Sequence, residues 1–261
     1  MRLFAVPKRV AVIEMQGTIG RGVRGAVHLP LLDRARKSPA VGAVVLSIDS
    51  PGGSASASEE VYLGVSRVAE VKPVVACIQG SGTSGAYYIA SAANKIVAVR
   101  NALVGSIGVI FAQPIAEQLF QKLGIAFSIQ KTGAHKDMFG PWRMPTSEEN
   151  QKLQSLMDEV FTRFIQVVAA GRHLEEAKVR ELATGEVFTS QRALTLGLID
   201  ELGDLDSAID TAAGLAKIKR RVAYLRPPRR RFSILRAAFG QDLVYSFMEE
   251  VELGLQPKLW L

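Results

Sequence analysis

The sequence predicts an α/β fold with largely parallel strands. Three observations carry this. Apolar runs of strand length, such as residues 41–48 and 74–78, alternate with stretches of helical spacing, as in Val61, Val65, Val68 and Val71. Gly- and Pro-rich breaks fall at the ends of those runs, which is where α/β sheets place their sites. The chain of 261 residues, 48% hydrophobic and 22% charged, is long and apolar enough to bury a sizeable core, which excludes wholesale disorder.

Residues 9–15 read as the opening strand, closed by Gly17 and a loop with Gly20, Gly22 and Gly25. Residues 30–37 predict a short helix ended by Pro39. The second strand, 41–48, runs into Asp49-Ser50-Pro51-Gly52-Gly53-Ser54, and 55–71 form an amphipathic helix. After the third strand, 74–78, the glycines at 80, 82 and 85 predict a sharp turn into a buried helix over 86–93. A strand over 95–99, the stretch 104–109, a helix over 114–123 and a strand over 126–130 follow. Thr146, with Ser147-Glu148-Glu149 in the first turn, starts a long helix that Gly171 should stop. Helices over 175–183, 190–196 and 205–216 complete a compact domain of residues 1–216. Residues 217–231 read as a basic Arg/Pro linker. In 232–261, Phe232, Leu235, Phe239, Leu243, Phe247 and Val251 recur at the spacing of an amphipathic helical extension.

The net charge of +7 is concentrated between Lys217 and Arg231, leaving the body near neutral. This suggests peripheral contact with an anionic membrane. No nucleic-acid reader module is evident, so no nucleic-acid partner is expected. The single Cys77 excludes an internal disulfide and reads as a core residue. His28, His135 and His173 are scattered without zinc spacing, so no metal is expected. Residues 1–9 lack the apolar core of a signal peptide, and the apolar runs are too short to span a bilayer. The expected location is cytoplasmic, or peripheral at the membrane.

Ser84 falls where a strand has ended and a helix begins, a setting in which a hydroxyl can be exposed beside free N–H groups. Two other readings stand beside that of a nucleophile. Ser84 could simply cap the helix. Gly80, Gly82 and Gly85 also spell a dinucleotide fingerprint, but no Asp or Glu occurs between Glu70 and Glu117 to hold a ribose. Arg100 could meet a 2′-phosphate, although Tyr87-Tyr88 crowd the turn. Gly52-Gly53 could supply oxyanion donors or form an ordinary Pro-Gly turn. For the base, His28 and His173 read as surface residues. His135 and Lys136 are better placed. Burial lowers lysine's ordinary pKa of about 10.4 by up to about 3–5, and Met138, Phe139, Pro141 and Trp142 could supply an apolar surround.

The ordered set Asp49-Ser-Pro-Gly-Gly-Ser54, Gly82-Thr-Ser-Gly-Ala-Tyr-Tyr-Ile-Ala90, Gly105-Ser-Ile-Gly-Val109 and Gly133-Ala-His-Lys-Asp137 closely resembles the signal peptide peptidase A family, serine peptidase family S49. Residues 188–203, with Gly197-Leu198-Ile199-Asp200, fit its pattern too, and the resemblance covers roughly residues 9–216. It implies a crotonase/ClpP-like fold and a Ser–Lys dyad, with Ser84 as nucleophile and Lys136 as general base. It also implies an oxyanion hole at Gly52 and Gly53, supporting roles for Ser106 and Gly85, and no cofactor. The implied substrates are hydrophobic peptides such as remnant signal peptides. The implied assembly is a homo-oligomeric ring in which neighbouring subunits supply Ser and Lys. An acyl-CoA enzyme, a non-catalytic scaffold of the same fold and a Ser–His peptidase using His135 are the competing readings.

Overall fold

The computed structural model describes residues 6–227 and 259–261. They fall into two compact units. One holds the residues up to 110, residues 158–227 and residues 260–261. The other is built on residues 111–157.

The first unit is built on β1 (Arg9–Gln16), α1 (Gly25–Lys37), β2 (Val41–Ser50), α2 (Ala55–Ala69), β3 (Val74–Thr83), α3 (Gly85–Ala90), β4 (Lys95–Ala98) and β5 (Leu103–Gly105). Its sheet continues in the order β7 (Val187–Thr189), β5, β3, β2, β1, β9 (Val222–Tyr224). Strand β3 forks. Residues 75–78 pair with β4, and residues 81–83 pair with β5. Strand β8 (Glu201–Leu202) adds to β4, and every pairing is parallel except β5 with β7.

Alternate side chains of a strand point to opposite faces. Ala11, Ile13, Leu46, Ala76 and Ile78 pack in one cluster with α1, α2 and α3. Val10, Val12, Ala43, Val45, Val75 and Cys77 pack on the other face against α8 (Leu205–Leu215). Both faces are therefore dry, which is why these strands read as unbroken apolar runs.

Several expectations change. Helix α1 begins at Gly25 and contains Pro30, which forfeits one backbone bond. His28 is not at the surface. It is 5% exposed, with Nε2 3.1 Å from Glu14 O and Nδ1 3.0 Å from Arg24 O. Strand β3 runs straight past Gly80 and Gly82, whose missing side chains make room for the side chains of Asp49 and Ile78. Helix α5 (Ser147–Arg172) runs through Gly171, because the Ser91 carbonyl fills the place a Cβ would take.

The Gly197–Asp200 motif is a structural tie. Asp200 accepts from the Ile96 N–H (2.7 Å), Arg172 (2.7 Å) and Lys95 (3.0 Å), and Tyr87 Oη donates to Leu198 O. Burial pushes the Asp200 carboxyl up, but Arg172 and the Ile96 N–H outweigh it and hold the pKa below the usual range. Helix α6 (Glu176–Leu182) and helix α7 (Ser190–Thr195) match the expected segments. Strand β9 pairs with β1, Val10 opposite Val222, so part of the basic segment 217–231 belongs to the sheet.

In the second unit, α4 (Glu117–Lys122) is shorter than predicted. Residues 126–130 are exposed and form no strand. The predicted helical positions from Phe232 to Val251 lie outside the described residues. At the end of that stretch, β10 (Leu259–Trp260) is strand, paired with β6 (Ile110–Phe111). Among the described residues no helix is long and apolar enough to cross a membrane.

Candidate active site

Ser84 links β3 to α3 at φ 56° and ψ −125°, a backbone region that non-glycine residues rarely adopt. Such a conformation costs on the order of 1–3 kcal/mol and persists only where the surroundings over-determine it. Here they do. The Ser84 N–H donates to Gly105 O at 2.7 Å, and Ser84 O accepts from Tyr88 N–H at 2.9 Å. Behind α3, the fully buried Tyr88 packs edge-on against Tyr62 and Phe164 at 5.1 and 5.2 Å.

The half-buried Ser84 side chain makes no capping hydrogen bond, and among the described residues its hydroxyl has no partner. The capping role is thus not the one it fills. The dinucleotide reading also fails. Asp49 and Ile78 occupy the space over Gly80 and Gly82 that a pyrophosphate would need, and Tyr87 is buried.

Gly52 and Gly53 have φ of +99° and +156°. The Gly52 N–H donates to Ser50 Oγ at 3.2 Å, while Gly52 O accepts from the Ile19 N–H at 2.9 Å. A Cβ on Gly52 would stand 2.7 Å from Ser84 Cβ and 2.9 Å from the Gly85 nitrogen. The two glycine-rich strand ends therefore touch. The Gly53 N–H donates to Leu261 O at 2.7 Å. Gly105 and Ser106, both at positive φ, reach the same place through the Ser84–Gly105 bond, and Ser106 N–H donates to Glu186 O at 2.7 Å. Buried Ser58 closes the far side of Gly85, a residue the sequence did not single out. Leu261 was missed as well. It pairs with Gly53, and a contact across so much chain leaves no local signal.

Lys136 and His135 belong to the second unit. Lys136 is exposed, and among the described residues its ammonium makes no ion pair. The expected apolar surround packs elsewhere within that unit: Phe139 on Phe111 at 5.0 Å, Trp142 stacked on Phe127 at 5.6 Å. His135 Nε2 lies 3.5 Å from Glu148 Oε1.

The loop carrying Lys136 is fixed by its neighbour Asp137, which accepts from Arg143 (3.0 Å) and Lys131. Arg143 also grips Glu149 at 2.6 and 2.7 Å, and Glu149 accepts from the Thr146 N–H at 2.8 Å in a reciprocal cap at the start of α5. The guanidinium of Arg143, then Lys131, holds Asp137 far below the usual carboxylate range. Arg143, then the Thr146 N–H, lowers Glu149 to about 2. Folded values below the unfolded ones mean stability present at neutral pH and lost on acidification. Amide protection over residues 131–149, taken relative to the intrinsic exchange rate at each pH, is expected to fall as pH drops from the ordinary carboxylate range towards about 2, ahead of protection in the β1–β3 core.

His173 is exposed at φ 55°. Cys77 is fully buried and burial pushes its thiol up to about 12, so it is no nucleophile.

Residues 66–219 match the model of peptidase family S49. A Synechocystis protein named as a candidate protease is 40% identical over 80% of this chain and 75% of its own length. The chloroplastic serine protease SPPA of Arabidopsis thaliana is 33% identical over 80% of this chain, which spans only 33% of that protein. A solved membrane-bound stomatin-specific protease shares the fold, with TM-score 0.55 and 17% identity over 85% of this chain and 99% of its own.

Proposed function

The chain belongs to peptidase family S49 and is by that membership a serine-type peptidase, and from that premise we propose that Ser84 is its nucleophile and Lys136 its general base. The observation that carries the assignment is the strained strand–helix junction at Ser84. Its uncommitted hydroxyl stands against the Gly52-Gly53 turn.

In this mechanism neutral Lys136 takes the Ser84 proton and Oγ attacks the peptide carbonyl. The Gly53 N–H, in a turn that Gly52 keeps open, holds the oxyanion once it lets go of Leu261 O. The ammonium then protonates the leaving amine, and water releases the acyl group. Ser106 and Gly85 shape the pocket around Ser84. The substrates are peptides, with hydrophobic ones such as remnant signal peptides as the class that the resemblance implies.

A lysine works as a base at neutral pH only when desolvated. Lys136 is exposed in the single chain, and the same unit exposes Ile115, Leu119, Leu123, Ile125, Phe127 and Ile129, each by 40% or more. Patches of this kind mark interfaces. We read this face as the contact with another copy in a homo-oligomeric ring, which both buries Lys136 and completes the site. The double variant Leu119→Asp, Leu123→Asp is expected to dissociate the assembly and lower turnover by about tenfold or more. Light scattering and peptide hydrolysis on one sample check this. In the basic segment, Lys217, Lys219 and Arg221 are exposed without an ion pair among the described residues, which leaves them available to an anionic lipid surface.

Peptide hydrolysis by wild type, Lys136→Ala and His135→Ala, with oligomer size measured for each, tests the dyad. Turnover lost in Lys136→Ala with the assembly intact supports it. Unchanged turnover there, with loss in His135→Ala, moves the base to His135. A wild type that neither cleaves peptides nor reacts at Ser84 with a fluorophosphonate returns the acyl-CoA or scaffold reading.

A further inference from the structure

Two consecutive residues of α2, Ser58 and Glu59, grip helix α3 from behind, and all the groups involved belong to the first unit. Ser58 is fully buried and donates to Ser54 O at 2.9 Å. Its Oγ fills the place that a Cβ on Gly85 would take. Glu59 Oε2 accepts from Tyr88 Oη, and Glu59 Oε1 accepts from Arg163 Nη2 at 3.0 Å. The Arg163 guanidinium also stands 5.7 Å over the Tyr62 ring. Tyr88 is 1% exposed, whereas the Glu59 and Arg163 side chains are 34% and 46% exposed. An ion pair so open to water adds little stability by itself. It does hold one carboxylate oxygen, so that the other stays aimed at the phenol.

We propose that Glu59 is a positioning residue of the peptidase, holding Tyr88, and through it the Ser84 backbone, in register with the Gly52-Gly53 turn. This rests on reading Ser84 as the nucleophile. The chain of contacts is short. Tyr88 N–H donates to Ser84 O at 2.9 Å, so the residue whose side chain Glu59 holds is the one that pins the nucleophile. Helix α2, which carries Glu59, starts two residues after Gly53, so the turn and the acceptor share one support. Ring contacts with Tyr62 and Phe164 leave Tyr88 free to slide, whereas a hydrogen bond is directional. Burial, then the bond to Glu59, pushes the Tyr88 phenol up, so it remains the donor at neutral pH. Misplacing a reacting group by about 1 Å costs about 10² in rate. Loosening this bond moves Ser84 and not the surface that binds the peptide, so the loss falls on kcat and leaves KM.

The test measures peptide turnover and the rate at which a fluorophosphonate labels Ser84, in the full chain. Tyr88→Phe removes the bond, keeps the ring packing and leaves Glu59 paired with Arg163, so it is the variant least able to unfold the protein. It is expected to lower kcat and the labelling rate by about tenfold or more, with KM within about threefold of wild type. Glu59→Ala should do the same. Glu59→Gln still offers Tyr88 a carbonyl oxygen and should restore labelling to within about threefold of wild type. The double variant Tyr88→Phe, Glu59→Ala should be no slower than the slower single variant, because both remove one interaction. Labelling run to completion counts the competent sites. A merely structural role would lower that count and the melting temperature while leaving the rate per site unchanged.

Wild-type labelling rates per site in Tyr88→Phe and Glu59→Ala overturn the proposal, whatever their melting temperatures, and leave Ser84 as the nucleophile. A double variant whose loss is the product of the two single losses overturns it as well, since the side chains then act separately. No labelling of Ser84 in any form, wild type included, defeats the nucleophile assignment and this role with it.

Discussion

Ser84→Ala is expected to lower peptide turnover by about 10⁴-fold or more, with no loss of thermal stability. Removing a nucleophile that acts as one unit with its base costs nearly the whole of that machinery's contribution. Stability should hold because the hydroxyl has no hydrogen-bond partner among the described residues. The fixed points around it, the Ser84–Gly105 and Tyr88–Ser84 bonds, are backbone bonds that alanine keeps. A fluorogenic peptide assay and a thermal scan on the same preparation decide it. Turnover within about tenfold of wild type would remove Ser84 from the chemistry.

Gly52→Ala should be nearly as damaging to turnover, and it should also cost stability. At φ +99° any side chain is strained by about 1–3 kcal/mol. The added Cβ would also press on Ser84 Cβ at 2.7 Å and on the Gly85 nitrogen at 2.9 Å. Those atoms are the nucleophile's own support, so relief can come only by moving it. Loss of one oxyanion donor costs about 10²–10³ in rate, and displacing the nucleophile as well should bring the loss to about 10³ or more. The same two assays report it. A Gly52→Ala protein with near-normal turnover would mean that the turn does not border the reacting atoms.

Much of this was legible in the sequence, for identifiable reasons. Strands buried on both faces leave continuous apolar runs, so β2 and β3 announce themselves. Ser84 stood out because a buried strand, a glycine cluster and an unbroken apolar helix meet there.

The failures are equally physical. Glycine serves both positive φ and close approach, and Gly80 and Gly82 are the second kind, giving way to Asp49 and Ile78 side chains without turning the chain. Ile125, Phe127 and Ile129 alternate as a half-buried strand would, yet all three are exposed and the segment is no strand. Strands β7 and β9 are three residues each, too short for any period to show. His28 lacks a sequence signal for burial because its partners are backbone groups, at Glu14 and Arg24. The exposure of Lys136 and the pairing of Leu261 with Gly53 depend on tertiary packing, which local spacing does not encode.

The central claim is that Lys136 activates Ser84. The most direct measurement is the rate at which a fluorophosphonate labels Ser84, read by peptide mass, in wild type, Lys136→Ala and His135→Ala held in the same assembly. The account predicts labelling of wild type and His135→Ala at similar rates, and a fall of about 10²-fold or more in Lys136→Ala. Undiminished labelling of Ser84 in Lys136→Ala would contradict it.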